Sequence, residues 1–203
     1  SGVTTSCEMY LFEEAVVDAA QQTGARLVMT PVVISESNRN FKEHITDLIH
    51  LYERHHDPAG RTTVGVAAHS AYDLGIDPVA ELAGLARSLD TTLHFHLAET
   101  QEESADLERK FGQSITRILY DNGVFDGRVL AAHSVWVDRT DIELMAEGEV
   151  AVAHCPVSNM KLGAGIAPLV DLRAAGVTVG YGTDGPASND SLDLWEEVKI
   201  APL

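Results

Sequence analysis

Short apolar runs rich in β-branched residues alternate with amphipathic stretches along the whole chain. Seven of these runs have the length and composition of buried strands in a parallel sheet. We predict these strands at Val3–Met9, Leu27–Ile34, Thr62–Ala68, Thr92–Ala98, Val129–His133, Val150–His154 and Val177–Gly182. Because apolar residues return to helical spacing between successive runs, the pattern predicts repeated β/α units.

Polar residues mark where several of the intervening helices begin. Asp77 with Pro78 is typical of a helix N-cap followed by a first-turn proline. Thr100 and Glu103 have the spacing of a capping box. Four histidines belong to the second predicted helix and its C-terminal end, and we expect them to be solvated. They are His44, His50, His55 and His56.

The repeat of one strand and one helix is that of a (β/α)8 TIM barrel, an α/β fold that usually needs roughly 250 residues. The chain has 203 residues, and its predicted strands are one short of eight. Because the sequence opens directly on a strand, we expect the absent first β/α unit to precede Ser1. Residues 1–203 are then one domain, a partial barrel that contains strands two to eight.

The charge of the chain limits its partners. Its 14 Lys and Arg residues against 31 Asp and Glu residues give a net charge of -17, which repels phosphate backbones and anionic lipid. No signal segment opens the sequence, and no apolar run approaches the roughly 20 residues that span a bilayer. We expect a cytoplasmic protein that acts on a small molecule, without nucleic-acid or membrane partners, and we leave a homo-oligomer open.

Chemically capable side chains stand where predicted strands end. Because parallel strands deliver their C-terminal ends to one face, His96, His133 and Asp184 are expected to meet there. An imidazole and a carboxylate suit a metal that activates water, so His96 and Asp184 are candidate ligands. Glu99 lies three residues after His96, where it can carry protons, and His133 can hold the attacking water or the developing alkoxide.

Three further histidines also lie on strands. His69 and His154 each finish a strand, and their residue type leaves substrate contact and packing at the rim equally open. His94 shares a face with His96, so we expect it to fill a lower layer of the barrel, with support of the site as the alternative.

The motifs in this chain resemble those of the amidohydrolase superfamily, in its nucleoside and nucleobase deaminase and chlorohydrolase branch. They occur in the same order and cover essentially the whole chain. The matching segments are Gly2–Thr5, His96–Thr100, Ala132–His133, Ser158–Gly165 and Gly182–Asn189. Within the branch, the likeness is strongest to methylthioadenosine and S-adenosylhomocysteine deaminases.

The resemblance implies a role for several residues of this chain. It implies that His96 and Asp184 bind one divalent metal, with zinc as first choice and iron or nickel as alternatives. Glu99 would then shuttle protons and His133 would polarise the hydrolytic water. The resemblance also implies that His69 and Arg39 contact a nucleoside. We add His154 as a third candidate for substrate binding.

The chain departs from the family pattern in three ways. The first-strand His-x-His pair of the family is absent, because His94-Phe95-His96 occupies the place of a later ligand. The strand Thr62–Ala68 contains no lysine that could bridge two metals, which implies a single metal. The small terminal β-sandwich of the family is also missing, which agrees with a fragment.

We expect hydrolytic deamination of an aminopurine nucleoside or related heterocycle, through attack of a metal-activated hydroxide and release of ammonia. One alternative is a triazine, guanine, pterin or formimino hydrolase of the same superfamily. Another is a non-catalytic fragment whose metal site is incomplete, and we expect the isolated chain to be inactive for that reason.

Overall fold

The structure, a computed structural model, describes residues 2–35 and 40–201. Its strands are β1 (Thr5–Glu8), β2 (Arg26–Met29), β3 (Val32–Val33), β4 (Thr62–Val64), β5 (Val66–Ser70), β6 (Leu93–Leu97), β7 (Val129–His133), β8 (Ala151–His154) and β9 (Thr178–Tyr181). Its helices are α1 (Glu13–Thr23), α2 (Phe41–His55), α3 (Ala71–Leu74), α4 (Ile76–Ser88), α5 (Gln101–Phe111), α6 (Ile115–Asp121), α7 (Arg139–Glu147), α8 (Pro156–Lys161), α9 (Leu169–Ala174) and α10 (Leu194–Ile200). The alternation predicted from the sequence is therefore present.

Two of the predicted strands are each divided in the structure. β2 and β3 are separated by Thr30 and Pro31, and proline has no N–H for a sheet ladder. β4 and β5 are separated by Gly65, whose N–H donates to the Met29 carbonyl at 2.8 Å. A Cβ at Gly65 would lie 2.8 Å from the Thr92 carbonyl oxygen, so this close approach of two backbones requires glycine.

All strand pairs in the described part of the chain are parallel. One sheet has the order β1-β2-β4 and the other has the order β3-β5-β6-β7-β8-β9. Because β2 leads into β3 and β4 leads into β5, the two sheets form one continuous array of strands. An α/β fold with parallel sheets, as predicted, is thus confirmed.

The array curves strongly. Cys7 on β1 and His94 on β6 are not on neighbouring strands, yet Cys7 Sγ lies 3.6 Å from His94 Nδ1. Thr30 Oγ1 lies 3.1 Å from the same nitrogen. Burial, together with the charges of His96 and His133, lowers the pKa of His94 to about 3. His94 therefore lies neutral inside the curved sheet, as expected for a layer of barrel-filling side chains.

The helices cover the outside of the sheet and complete two hydrophobic cores. The larger core includes Leu82 of α4, Phe95 of β6 and Met145 of α7, all fully buried. The smaller core lies beneath β2 and β4 and includes Val17 and Met29. No helix in residues 2–35 and 40–201 has the length and hydropathy needed to cross a membrane.

Two local predictions are wrong. Helix α4 begins at Ile76 with Gly75 as its N-cap, so Asp77 lies within the first turn and is not the cap. The short helix α3 precedes it, and Ser70 caps α3 by accepting from the Asp73 N–H, which leaves only Gly75 between the two helices. His44 is 8% exposed instead of solvated, because α2 turns that face toward the core.

Candidate active site at the strand ends

The register of the central strands places the candidate residues side by side. His96 on β6 pairs with Ala132 on β7, and Leu97 pairs with His133 at the end of β7. The imidazole rings of His96 and His133 stack with centroids 5.5 Å apart. Their side chains therefore reach the same end of the sheet, as predicted for the ends of parallel strands.

The backbone at these strand ends takes unusual conformations. Non-glycine residues with positive φ follow or end three of the strands: Ala98 at 48°, His133 at 69°, Ser134 at 49° and Asp184 at 59°. Left-handed conformations of this kind cost of the order of 1–3 kcal/mol each and cluster at functional sites. Four of the eight non-glycine residues with positive φ in the described part of the chain thus lie where the candidate side chains meet.

The left-handed turn after β7 fixes the position of Glu99. It lets the Ser134 N–H donate to the Leu97 carbonyl at 2.9 Å and the Trp136 N–H donate to the Ala98 carbonyl at 2.9 Å. The end of β7 is thereby tied to the end of β6. As a result, Glu99 Oε2 lies 3.8 Å from His133 Nε2.

His96 has the form that a metal ligand needs. Its Nδ1–H donates to the His69 carbonyl at 2.7 Å, so the lone pair is left on Nε2. Burial, together with the charge of His133, lowers the pKa of His96 to about 4. The ring is therefore neutral at neutral pH, with one nitrogen held by the backbone and the other available.

Asp184 has the complementary form. Its carboxylate accepts from Ser188 Oγ at 2.6 Å, from Ser158 Oγ at 2.7 Å and from the Gly185 N–H at 2.7 Å. Burial alone would raise the pKa of Asp184, but the hydrogen bonds from Ser188 and Ser158 outweigh it, and the pKa is lowered. Asp184 is thus ionised, and its charge acts on His96.

A neutral imidazole and an ionised carboxylate are ligands that zinc uses in proteins. The chemistry of His96 and Asp184 therefore fits a divalent metal. However, residues 2–35 and 40–201 contain no group of three or more His, Cys, Asp or Glu side chains arranged to hold one. The described residues supply two candidate donors, and a zinc site that binds water normally has three.

Helix α8 adds contacts that the sequence analysis did not foresee. Asn159 Oδ1 accepts from His133 Nδ1 at 2.9 Å, next to the Ser158 hydroxyl that binds Asp184. The sequence does contain a signal, because Ser-Asn follows each of the last two predicted strands, at 158–159 and at 188–189. Without coordinates, nothing connected these pairs to particular partners.

Glu103 is a second contact that was only partly foreseen. Thr100 caps α5 as predicted, since its Oγ1 accepts from the Glu103 N–H at 3.2 Å. The Glu103 carboxylate also accepts from the Glu99 N–H at 3.1 Å, one residue before the cap. Burial raises the pKa of Glu103 to about 7, against the lowering effect of hydrogen bonds from the Glu99 and Thr100 N–H groups. Glu103 therefore holds the backbone of Glu99.

The three candidates for substrate contact have different surroundings. His69 is partly exposed, lies 3.4 Å from Asp73 Oδ2 and meets the Tyr72 ring edge to face. His154 is 4% exposed, and its buried Nδ1 has no hydrogen-bond partner among the described residues. Burial lowers the pKa of His154, and His133 lowers it further. Arg39 lies outside the described residues. None of these observations tests a contact with substrate, so the roles of all three residues stay predictions.

Comparison with known proteins gives a consistent result. A sequence profile of the amidohydrolase family matches residues 1–202. A 5-methylthioadenosine/S-adenosylhomocysteine deaminase from Thermoanaerobacter pseudethanolicus is 39% identical over 203 aligned positions, which cover 99% of this chain and 47% of that protein. A 5'-deoxyadenosine deaminase from Methanobrevibacter smithii is 38% identical over 205 aligned positions, which cover 100% of this chain and 47% of that protein. The chain spans about half the length of these curated relatives.

Solved structures agree with the sequence relatives. A zinc-bound adenosine deaminase from Xanthomonas campestris matches with a TM-score of 0.92 and 31% identity, over 98% of this chain and 46% of that one. A zinc complex of an atrazine chlorohydrolase from Arthrobacter aurescens matches with a TM-score of 0.91 and 25% identity, over 100% of this chain and 49% of that one. The α/β fold of this chain therefore corresponds to about half of each of these structures.

Proposed function

This chain belongs to the amidohydrolase family, and from that membership we propose that its strand ends form part of a metal-dependent site that hydrolytically deaminates an aminopurine nucleoside or a related heterocycle. The observation that supports this most directly is the contact of Glu99 with His133, 3.8 Å apart, beside the neutral ring of His96. The relatives named as deaminases of 5-methylthioadenosine, S-adenosylhomocysteine and 5'-deoxyadenosine support the substrate class.

The first part of the proposal concerns the metal. His96 Nε2 and the Asp184 carboxylate are the two groups of this chain that would hold a divalent ion, with zinc as first choice and iron or nickel as alternatives. When bound, such an ion lowers the pKa of a water molecule toward neutrality and so supplies the nucleophile. Further ligands would have to come from outside the described residues.

The second part concerns protons. When water adds to the carbon that carries the amine, one proton must leave the water and one must reach the ring nitrogen. A proton must later reach the departing amine. Glu99 is the candidate carrier, since its carboxylate lies at the strand ends without being a proposed ligand. His133 Nε2 faces Glu99 and would accept a hydrogen bond from the attacking water and so polarise it. Cleavage of the C–N bond then releases ammonia.

The third part concerns the substrate. We assign His69, Arg39 and His154 to substrate binding. His69 lies next to the end of β5 and His154 ends β8, and these two strands flank β6 and β7. Arg39 is assigned on the family resemblance alone. His69 is partly exposed beside the half-exposed Tyr72 ring, which offers an aromatic surface to a purine. The unpartnered Nδ1 of His154 offers a hydrogen bond.

A chimera tests the proposal. In it, this chain replaces the matching half of the Thermoanaerobacter deaminase, so that any ligands missing here are supplied. We expect the purified chimera to bind metal and to release ammonia from 5-methylthioadenosine, S-adenosylhomocysteine or 5'-deoxyadenosine. A folded chimera that binds metal but releases no ammonia from any of these would contradict the proposal.

The same experiment separates the alternatives. Turnover of a triazine, guanine, a pterin or a formimino compound in preference to the adenosine compounds would favour another hydrolase of the family. A triazine is included among the test substrates because the chain shares its fold with the atrazine chlorohydrolase. The 203-residue chain, assayed in parallel, tests whether it is a non-catalytic fragment with an incomplete metal site. We expect negligible ammonia release from it.

A further inference from the structure

Helix α8 contacts the candidate residues of two different strands. Ser158 Oγ donates to Asp184, which follows β9, at 2.7 Å. Asn159 Oδ1 accepts from His133, which ends β7, at 2.9 Å. Asn159 and His133 are each 2% exposed, so bulk water does not compete for their hydrogen bond. One turn of helix therefore sets the position of both side chains.

Glu197 on α10 fixes the position of α8. It is 0% exposed, its Oε2 accepts from the Val157 N–H at 3.0 Å, and its Oε1 accepts from Asn189 Nδ2 at 2.6 Å. Both carboxylate oxygens are therefore used. The carboxylate ties the first turn of α8 to the loop that follows Asp184, and so Asn159 cannot move without breaking a buried contact.

The Asn159 contact determines where His133 carries its proton. A neutral imidazole has one N–H, and an amide oxygen can only accept a hydrogen bond. Asn159 Oδ1 therefore favours a proton on His133 Nδ1. Nε2, which lies 3.8 Å from Glu99 Oε2, is left to take up and release protons. The opposite tautomer would set the lone pairs of Nδ1 and Oδ1 against each other in a buried position.

We propose that Asn159 is a positioning residue that keeps a proton on Nδ1 of His133 and so confines proton exchange to Nε2, with Glu197 holding α8 in the place that this requires. The catalytic meaning of this inference rests on the proposed function. The hydrogen bond itself belongs to the chain without metal or substrate, and it is tested in that state.

The tautomer of His133 is measured by two-bond ¹H–¹⁵N correlation spectra of the histidine-labelled chain, at alkaline pH where imidazoles are neutral. His133→Gln identifies the signals of this ring. We expect the Nδ1–H form in the unsubstituted chain. Asn159→Ala should shift the ratio about fivefold toward Nε2–H, the equivalent of about 1 kcal/mol for a net hydrogen bond. Asn159→Asp keeps an acceptor oxygen opposite Nδ1 and should restore the Nδ1–H form.

The matched control is Asn122→Ala, which removes the partly buried hydrogen bond from Asn122 Nδ2 to the Ile118 carbonyl on α6 and should leave the ratio unchanged. An Nε2–H majority in the unsubstituted chain, or an unchanged ratio in folded Asn159→Ala, overturns the inference. If circular dichroism shows that Asn159→Ala does not fold, Glu197→Asp should shift the ratio in the same direction, because it shortens the anchor of α8. An unchanged ratio there also overturns it.

These outcomes are independent of the proposed function. A chimera that lacks deaminase activity would contradict the proposed function and leave the tautomer assignment standing. An active chimera whose His133 carries its proton on Nε2 would support the proposed function and contradict the tautomer assignment.

Discussion

Glu99 gives a direct test at the scale of one residue, because it contacts His133 without being a proposed metal ligand. In the chimera, Glu99→Gln removes proton transfer but leaves the ligands in place. Turnover should fall by roughly 100-fold or more, while metal content, measured by plasma mass spectrometry, should not change. Glu102→Gln, an exposed change in the first turn of α5, is the control. Near-normal turnover by the Glu99 variant would remove Glu99 from the mechanism.

Glu103 predicts a pH dependence of stability. Its pKa is raised from 4.5 to about 7, chiefly by burial, so the folded chain holds this proton after the unfolded chain has released it. The stability contributed by Glu103 therefore decreases as the pH rises from about 4.5 to about 7, and is constant above that. Glu103→Gln lacks this titration and keeps an acceptor for the Glu99 N–H.

The measurement is urea unfolding at several pH values across that window. The free energy of unfolding of Glu103→Gln, relative to the unsubstituted chain, should increase with pH by about 1 to 3 kcal/mol. Glu102→Gln should show no such trend. A constant difference for Glu103→Gln would mean that burial does not raise the Glu103 pKa in solution.

The sequence predicted which residues stand at strand ends, but it did not predict which side chains bind them. His96 and His133 could be brought together from the sequence because each ends a strand, and the direction of parallel strands fixes where strands end. The partner of His133 could not be predicted, since Asn159 is 26 residues away and lies on a six-residue helix that is too short to show a periodic pattern. His44 misled for a related reason, because residue type alone does not show which face of α2 is buried.

Gly65 gives a prediction at the scale of elements. Gly65→Ala should lower the free energy of unfolding by about 1–3 kcal/mol, the usual cost of overpacking. The reason is that the new Cβ would lie 2.8 Å from the Thr92 carbonyl oxygen, which is backbone and cannot rotate away. Gly180→Ala on β9 is the matched control, because a Cβ there meets nothing within 4 Å. Equal denaturation midpoints for the two variants would show that β5 and β6 can separate without cost.

Elements were predicted better than their ends and interruptions. The strand Val129–His133 has the predicted bounds, because it is a continuous apolar run closed by a polar residue. The break at Gly65 was not predicted, since it depends on the backbone of a strand far along the sequence. The start of α4 was missed because Ser70 caps an additional short helix just before it.

At the scale of the whole molecule, the alternation of strands and helices was enough to predict a curved parallel sheet, but not the metal site. A ligand set is assembled from residues on several strands, and the described residues hold no group of three candidate ligands. We therefore expect zinc to stabilise the 203-residue chain only slightly. The chimera should gain about 2.7 kcal/mol at a zinc concentration 100 times its dissociation constant.

Calorimetric melting with and without zinc measures this difference, with chelator-treated samples as the reference. The chimera should melt at a higher temperature with zinc, whereas the chain should hardly shift. A large zinc-dependent shift in the chain alone would show that it contains ligands other than His96 and Asp184.

The two outer strands give a prediction about association. β1 and β9 each pair with one strand in the described part of the chain, and their residues are half-buried or exposed. The central strand β6 is almost entirely buried. Apolar side chains next to β1 are also exposed, with Phe12 at 75% and Tyr10 at 59%. Unpaired edges beside exposed apolar surface favour pairing with a second copy.

Sedimentation velocity should therefore show association of the chain that increases with protein concentration. It should also increase with salt, because screening reduces the repulsion between copies that carry a net charge of -17. Thr178→Lys places a charge on the exposed edge of β9 and should weaken association. Gln101→Lys, an exposed change on α5, adds the same charge away from the edge and should not weaken association, because it only reduces the net negative charge that keeps copies apart. If both variants strengthen association equally, net charge and not strand pairing controls it.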